Sequence, residues 1–153
     1  MKHFAYGSNM SQKQMQCRCK ASSPQKLDGI FSLAKHALAF HKQSKKDDSG
    51  KCNACYTGED GDNVLGVVYE IGEADMHSLD EYEGHPTQYR RKPVCVISES
   101  GNKICAEVYF ACKDTIKEGL CPTAGYKSTV LSGAEEAGFP AEYIAKIKAV
   151  KTD

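Results

Sequence analysis

The sequence predicts an α+β domain: a small mixed or antiparallel β-barrel of about six strands, flanked by helices. Three observations predict it. Short stretches rich in Val, Ile, Tyr and Cys recur along 153 residues and end at turn residues. They do not alternate regularly with helical segments, which argues against a doubly wound parallel sheet. The last thirty or so residues carry helical spacing only, so helices pack at the periphery. The length suits one domain over 1–153, able to bury roughly two-thirds of its unfolded surface without staples.

Taken in order, Lys2–Tyr6 reads as a first strand running straight into Gly7-Ser8-Asn9, a turn composition. Ser11 suits the N-cap of a helix reaching about Cys19, which Ser22-Ser23-Pro24 ends. Leu27–Lys42 predicts two strands or one bent strand. Lys45–Lys51 reads as a solvated, flexible loop. Cys52–Thr57 and Val64–Ile71 are strands around an acidic turn at 59–62. Glu73–Glu83 has helix character, with Met76, Leu79 and Tyr82–Glu83 near one face, and Gly84 is its stop. Tyr89–Ile97 and Lys103–Ala111 form a hairpin around Ser100-Gly101-Asn102. Thr123–Ala137 and Pro140–Val150 are closing helices, with Pro140 suited to a first turn.

Composition narrows the function classes. Twenty basic and twenty acidic side chains give a formal net charge of +0, which argues against nucleic acid as a partner. No apolar run approaches the roughly 20 residues that span a bilayer, so no membrane association is expected. The N-terminal residues lack the apolar stretch of a signal peptide, so the mature chain is expected to begin near residue 1 and to be cytoplasmic. Eight cysteines in a chain of this kind read as free thiols. The five histidines show no metal-ligand spacing and read as structural or surface residues.

Two stretches carry chemistry. Tyr6-Gly7-Ser8-Asn9-Met10, between a strand and a helix, can aim successive backbone N–H groups into one concavity that suits an anion. Gly7 lets the backbone come close to a ligand. Leu79-Asp80-Glu81-Tyr82-Glu83-Gly84 crowds three acids at the negative end of a helix, an arrangement that disfavours ionisation. A glutamate poised near neutral pH is what acid–base work on an amine requires, and Glu83, last before the glycine, is the freest to enter a pocket. Read separately, the first stretch is equally a capped turn and the second a solvated helix end.

Together, with Tyr89-Arg90-Arg91, the Val64–Tyr69 strand and the run from Tyr126 through Gly138-Phe139-Pro140 to Tyr143, these stretches resemble the γ-glutamylcyclotransferase family. The resemblance covers nearly the whole chain in order. It implies a γ-glutamylcyclotransferase-like barrel and a small-molecule γ-glutamyl substrate that closes on itself to 5-oxoproline. It also implies Glu83 as the acid/base residue, substrate contacts from Tyr6, Gly7, Ser8, Asn9 and Met10, and pocket tyrosines at Tyr109, Tyr126 and Tyr89. No cofactor and no metal is needed. A homodimer stays open. Three alternatives also stay open: a glutathione-type or γ-glutamylamine cyclotransferase, or an enzyme removing a γ-glutamyl protecting group; a metal or redox module on Cys17-Arg18-Cys19 and Cys52-Asn53-Ala54-Cys55; and a non-catalytic ligand sensor on the same fold. The charged segment Lys42–Lys51 and the high cysteine content depart from the family pattern.

Overall fold

A computed structural model describes all residues 1–153. Five strands close the barrel: β1 (Lys2–Ala5), β8 (Lys103–Ala111), β7 (Tyr89–Ser98), β3 (Phe31–Ala34) and β6 (Asn63–Glu70), the last pairing back to β1. All pairings are antiparallel except β1 with β8. A two-residue strand, β2 (Gln25–Lys26), extends the sheet on β6. It has no sequence signature, because its pairing is long-range rather than local. β4 (His36–Gln43) and β5 (Gly50–Tyr56) form a separate hairpin outside the barrel. Leu27–Lys42 is thus two strands, split at Lys35, whose φ of 65° turns the chain.

Side chains from both faces of the strands join one core cluster, including Phe4, Phe31, Leu33, Val64, Val96 and Val108, with the neighbours Val67 and Val68 buried on opposite faces of β6. Burying such side chains contributes about 1.5–3 kcal/mol each, offset mostly by chain entropy. Four helices lie outside: α1 (Gln12–Arg18), α2 (Glu73–Glu83), α3 (Ala124–Glu136) and α4 (Ala141–Lys148). None is long and apolar enough to cross a membrane.

Local chemistry sets the helix ends. Ser11 caps α1 by accepting the Gln14 N–H at 3.3 Å, and Thr123 caps α3 by accepting that of Tyr126 at 3.1 Å. Gly84 ends α2 at φ 67°, a left-handed conformation that disfavours a side chain. Pro140 stands just before α4, as its N-cap. A cluster at Asp75, buried in the first turn of α2, ties two elements together. Its carboxylate accepts the N–H groups of Ala21 and Ser22 and the Ser22 hydroxyl, pinning the chain after α1 against α2. That clamp holds the segment after α1 against the start of α2, while Arg18 at the end of α1 meets Tyr82 and Glu83 at the end of α2, where the site is built.

The helix face predicted on α2 is only partly apolar. Met76 and Leu79 are buried, whereas Tyr82 is exposed and lies under the Arg18 guanidinium, 4.8 Å from its ring. The solvated loop is also shorter than the charges suggest. Ser44 and Ser49 are buried, Ser44 N–H donates to Ser49 C=O at 2.9 Å, and Gly50 already belongs to β5.

Candidate active site

The chain leaves β1 at the barrel rim, makes one turn of 3₁₀ helix over Ser8–Met10, and enters α1. This turn, the end of α2, the β4–β5 hairpin and the start of α3 surround a cavity of about 530 Å³. That size suits a small-molecule ligand. Glu83 lies in its wall. Its Oε1 accepts the Asn9 Nδ2–H at 3.0 Å and lies 3.6 Å from Arg18 Nη1. Burial raises the Glu83 pKa above the ordinary glutamate value; Arg18, the Asn9 hydrogen bond and Lys42 oppose that rise without cancelling it.

This corrects the reason that the sequence offers for a raised pKa. The neighbouring acids do not crowd Glu83. Asp80 turns the other way, receiving the Arg91 guanidinium at 2.8 and 3.1 Å and the Tyr109 hydroxyl at 2.7 Å. Burial pushes its pKa up, but Arg91 and Tyr109 outweigh burial and hold it below the ordinary value. Glu81 is exposed and pairs with His77, one turn back.

The turn behaves differently at each residue. The backbone N–H groups of Gly7, Ser8 and Asn9 donate to no acceptor in the protein, whereas those of Met10 and Ser11 close the turn onto Gly7 and Ser8 carbonyls at 3.1 Å. A Cβ on Gly7 would sit 3.1 Å from that of Cys52, so the glycine lets the hairpin close onto the turn. Ser8 Oγ accepts from Gln14 Nε2 at 2.7 Å. The Asn9 side chain is committed to the protein: besides Glu83, its Oδ1 accepts from Gln14 at 3.1 Å and Arg18 at 2.9 Å. Met10 is not brought to the cavity. Its side chain is 1% exposed, packed under Gly133 of α3, where an added Cβ would lie 2.7 Å from the Met10 Cβ. Met10 belongs to the core that seats the turn on α3.

Besides the exposed Tyr82, four tyrosines from distant elements line the cavity. Tyr6 donates to the Tyr109 carbonyl at 2.5 Å, and Tyr89 donates to the Cys52 carbonyl at 2.7 Å. Tyr126 accepts the Cys52 N–H at 3.0 Å, and Tyr109 bonds Asp80. Burial raises all four phenol pKa values, so they stay neutral.

The sequence reading missed the cations. Arg18, Lys42, Lys45, Lys46 and Lys51 all line the cavity, against Glu81 and Glu83. Lys42 is 4% exposed; burial lowers its pKa, and its Nζ donates to Gln88 Oε1 at 2.8 Å above the Tyr89 ring. A lysine two residues beyond the apolar Leu38–Phe40, in the same strand, was the available signal, since an ionised side chain in a strand is buried only where something faces it. Cys52 also lines the cavity, its thiol pushed up to about 12 by burial and therefore not a nucleophile. Cys52 and Cys55 differ in exposure, as do Cys17 and Cys19, and no three metal-ligating side chains cluster anywhere in the chain.

Residues 63–147 match the profile of the AIG2-like family. A human protein named γ-glutamylcyclotransferase is 30% identical, the alignment covering 97% of this chain and 78% of that one. Its bovine counterpart is 29% identical with the same coverage. A solved structure of a γ-glutamyl cyclotransferase superposes with a TM-score of 0.87 at 28% identity, covering 100% of this chain and 89% of that one.

Proposed function

The chain belongs to the γ-glutamylcyclotransferase family and is an enzyme of that type, and we propose that it cyclises γ-glutamyl amino acids with Glu83 as its single proton carrier. The observation that carries the assignment is the Glu83 carboxylate, largely buried in a cavity wall and held by Asn9, with a raised pKa. Ionised Glu83 takes a proton from the substrate's α-ammonium. The freed amine attacks the γ-carbonyl carbon, the γ-amide C–N bond breaks, and the five-membered lactam 5-oxoproline forms. The departing nitrogen takes up that proton from Glu83; the carboxylate then removes the second proton from the attacking nitrogen, leaving the lactam N–H, and passes it to the released amine, which leaves as an ammonium, so Glu83 returns to its starting state. Holding the glutamyl chain folded, with its amine against its own carbonyl, supplies the rest; well-oriented intramolecular reactions gain roughly 7–11 kcal/mol this way.

The free N–H groups of Gly7, Ser8 and Asn9 suit the α-carboxylate or the oxyanion that develops on the γ-carbonyl. Tyr6, Tyr89, Tyr109 and Tyr126 wall the glutamyl chain. Their hydroxyls are already bonded to the protein, so they shape the cavity rather than move protons. Lys42, Lys45, Lys46 and Lys51 favour a leaving group with its own carboxylate, an amino acid, over an uncharged amine. Eight free thiols fit a reducing, cytoplasmic setting.

A substrate panel tests this reading. Incubation with γ-glutamyl dipeptides and with a γ-glutamylalkylamine, followed by measurement of 5-oxoproline, is expected to show turnover of the dipeptides and a lower kcat/KM for the alkylamine. Absence of 5-oxoproline from every compound would overturn the assignment; preference for the alkylamine would overturn the role of the lysines.

A further inference from the structure

The cyclisation uses none of the eight thiols, yet two of them are placed as a pair. Cys95 on β7 stands directly opposite Cys105 on β8, and both are free and exposed. In an antiparallel ladder, opposed residues alternate between hydrogen-bonded and non-hydrogen-bonded pairs. The phase is set at both ends of this hairpin. Ser98 N–H donates to Asn102 C=O at 2.8 Å, and Cys112 N–H donates to Gln88 C=O at 3.0 Å. The even-numbered pairs are therefore the bonded ones along the whole register. Cys95–Cys105 falls between them, at a non-hydrogen-bonded position. Pro93, opposite Glu107, agrees with this phase, because a residue without an N–H donor costs no ladder bond there.

This position matters for sulfur chemistry. Opposed Cα atoms in a non-hydrogen-bonded pair lie about 4.5 Å apart, inside the roughly 4.4–6.8 Å span of a disulfide. The alternate residues Val96, Ala106 and Val108 are buried in the barrel, so both thiols stand on its outer face, on one side of the ladder. The hairpin holds them in that geometry with nine registered pairs.

We propose that Cys95 and Cys105 form a redox-active dithiol whose substrate class is small-molecule disulfides. The thiolate of one cysteine attacks a sulfur of RSSR; the S–S bond breaks, and RS⁻ leaves and takes a proton. The second thiolate attacks the protein-bound sulfur of the mixed disulfide, expelling a second RSH. In sum, RSSR and two protein thiols give one protein disulfide and two RSH, with two electrons passing to the small molecule. Excess thiol reverses the exchange. The second step is intramolecular, which is why the pair closes instead of keeping the adduct. Exposed Cys17, whose neighbour Cys19 is buried, has no such partner geometry and retains its adduct.

The test uses 2-hydroxyethyl disulfide, which carries no γ-glutamyl group and so does not engage the cyclisation site. The whole protein is treated, its remaining thiols are alkylated, and it is digested with trypsin without reduction. Lys103 lies between the two cysteines, so cleavage there leaves their fragments joined only through a disulfide. Mass spectrometry is expected to find the joined fragments, two hydrogens lighter than their sum, with the hydroxyethylthio adduct on Cys17. Dithiothreitol should separate them. In Cys105→Ser, Cys95 should keep the adduct, and in Cys95→Ser the reverse; both sites are exposed, so the fold should tolerate the change. Stable adducts on both cysteines of the unaltered protein, or neither cysteine modified while Cys17 reacts, would overturn the proposal.

Discussion

Asp80 and Glu83 lie one turn apart on the same helix and carry the same chemical group, yet their surroundings push them in opposite directions. Asp80 accepts three hydrogen bonds, two from the Arg91 guanidinium and one from Tyr109. Glu83 accepts one from Asn9 and otherwise faces the cavity, with Arg18 at 3.6 Å. The number of donors aimed at a carboxylate, weighed against its burial, decides which one holds its charge more firmly and which one takes up a proton more readily. The signs for stability follow. The Asp80 pKa is depressed in the folded state, so its contribution is present above the unfolded value and is lost as pH falls through the folded one. The Glu83 pKa is raised, so its contribution is fully present below the unfolded value and is lost as pH rises through the folded one. Ionised Asp80 supports the fold, and ionised Glu83 works against it.

The largest effect should come from the carboxylate proposed to move the proton. Glu83→Gln keeps an acceptor for Asn9 and removes the acid–base group. We expect kcat for 5-oxoproline formation to fall about 10²–10⁴-fold, the usual contribution of proton transfer. Thermal denaturation at neutral pH should give a Tm equal to or above that of the wild type, because a buried charge has gone. Wild-type turnover in this variant would end the assignment of Glu83.

Asp80→Asn should do the reverse. The amide still meets Arg91 and Tyr109, but without charge, and hydrogen bonds to charged groups are worth about 1.5–3 kcal/mol. Urea unfolding at neutral pH is expected to show a loss of about 1–3 kcal/mol, with kcat reduced far less than by Glu83→Gln. The gap between wild type and variant should narrow as pH drops through the range where Asp80 protonates. A gap independent of pH would mean that the Arg91 pairing does not stabilise the fold.

The same helix shows what was legible in the sequence. The place of Glu83 at the end of a helix was, because a carboxylate directly before a helix-stopping glycine is a local pattern. The barrel strands were too, since each is a short run rich in strand-forming residues. What set the environments of Asp80 and Glu83 was not. Arg91 reaches Asp80 from β7, Arg18 reaches Glu83 from the end of α1, and Lys42 arrives on a hairpin packed outside the barrel. These pairings join residues between 11 and 65 positions apart, and no local pattern encodes them. Met10 failed for a related reason: the turn motif is contiguous in sequence, but the 3₁₀ turn rotates its last side chain away from the cavity and under Gly133.

The smallest effect is the sharpest test of the contrast. Arg18 is the strongest of the influences that hold the Glu83 pKa down. Arg18→Met removes the guanidinium and keeps an unbranched apolar stem over Tyr82, leaving Asn9 and Lys42 in place. Burial then prevails further, and the Glu83 pKa rises. Under the proposed mechanism cyclisation requires ionised Glu83 in the free enzyme, so kcat/KM should increase with pH through that pKa, and its acidic limb should move to higher pH in the variant. The pair is partly exposed, which limits its worth to about 1 kcal/mol or less, and so the limb should move by about one pH unit at most. Above the limb, kcat should stay close to wild type. Asp80→Asn, measured in parallel, should leave the limb near its original position, because Asp80 bonds away from Glu83. A limb that moved equally in both variants would mean that the two carboxylates titrate as one coupled pair.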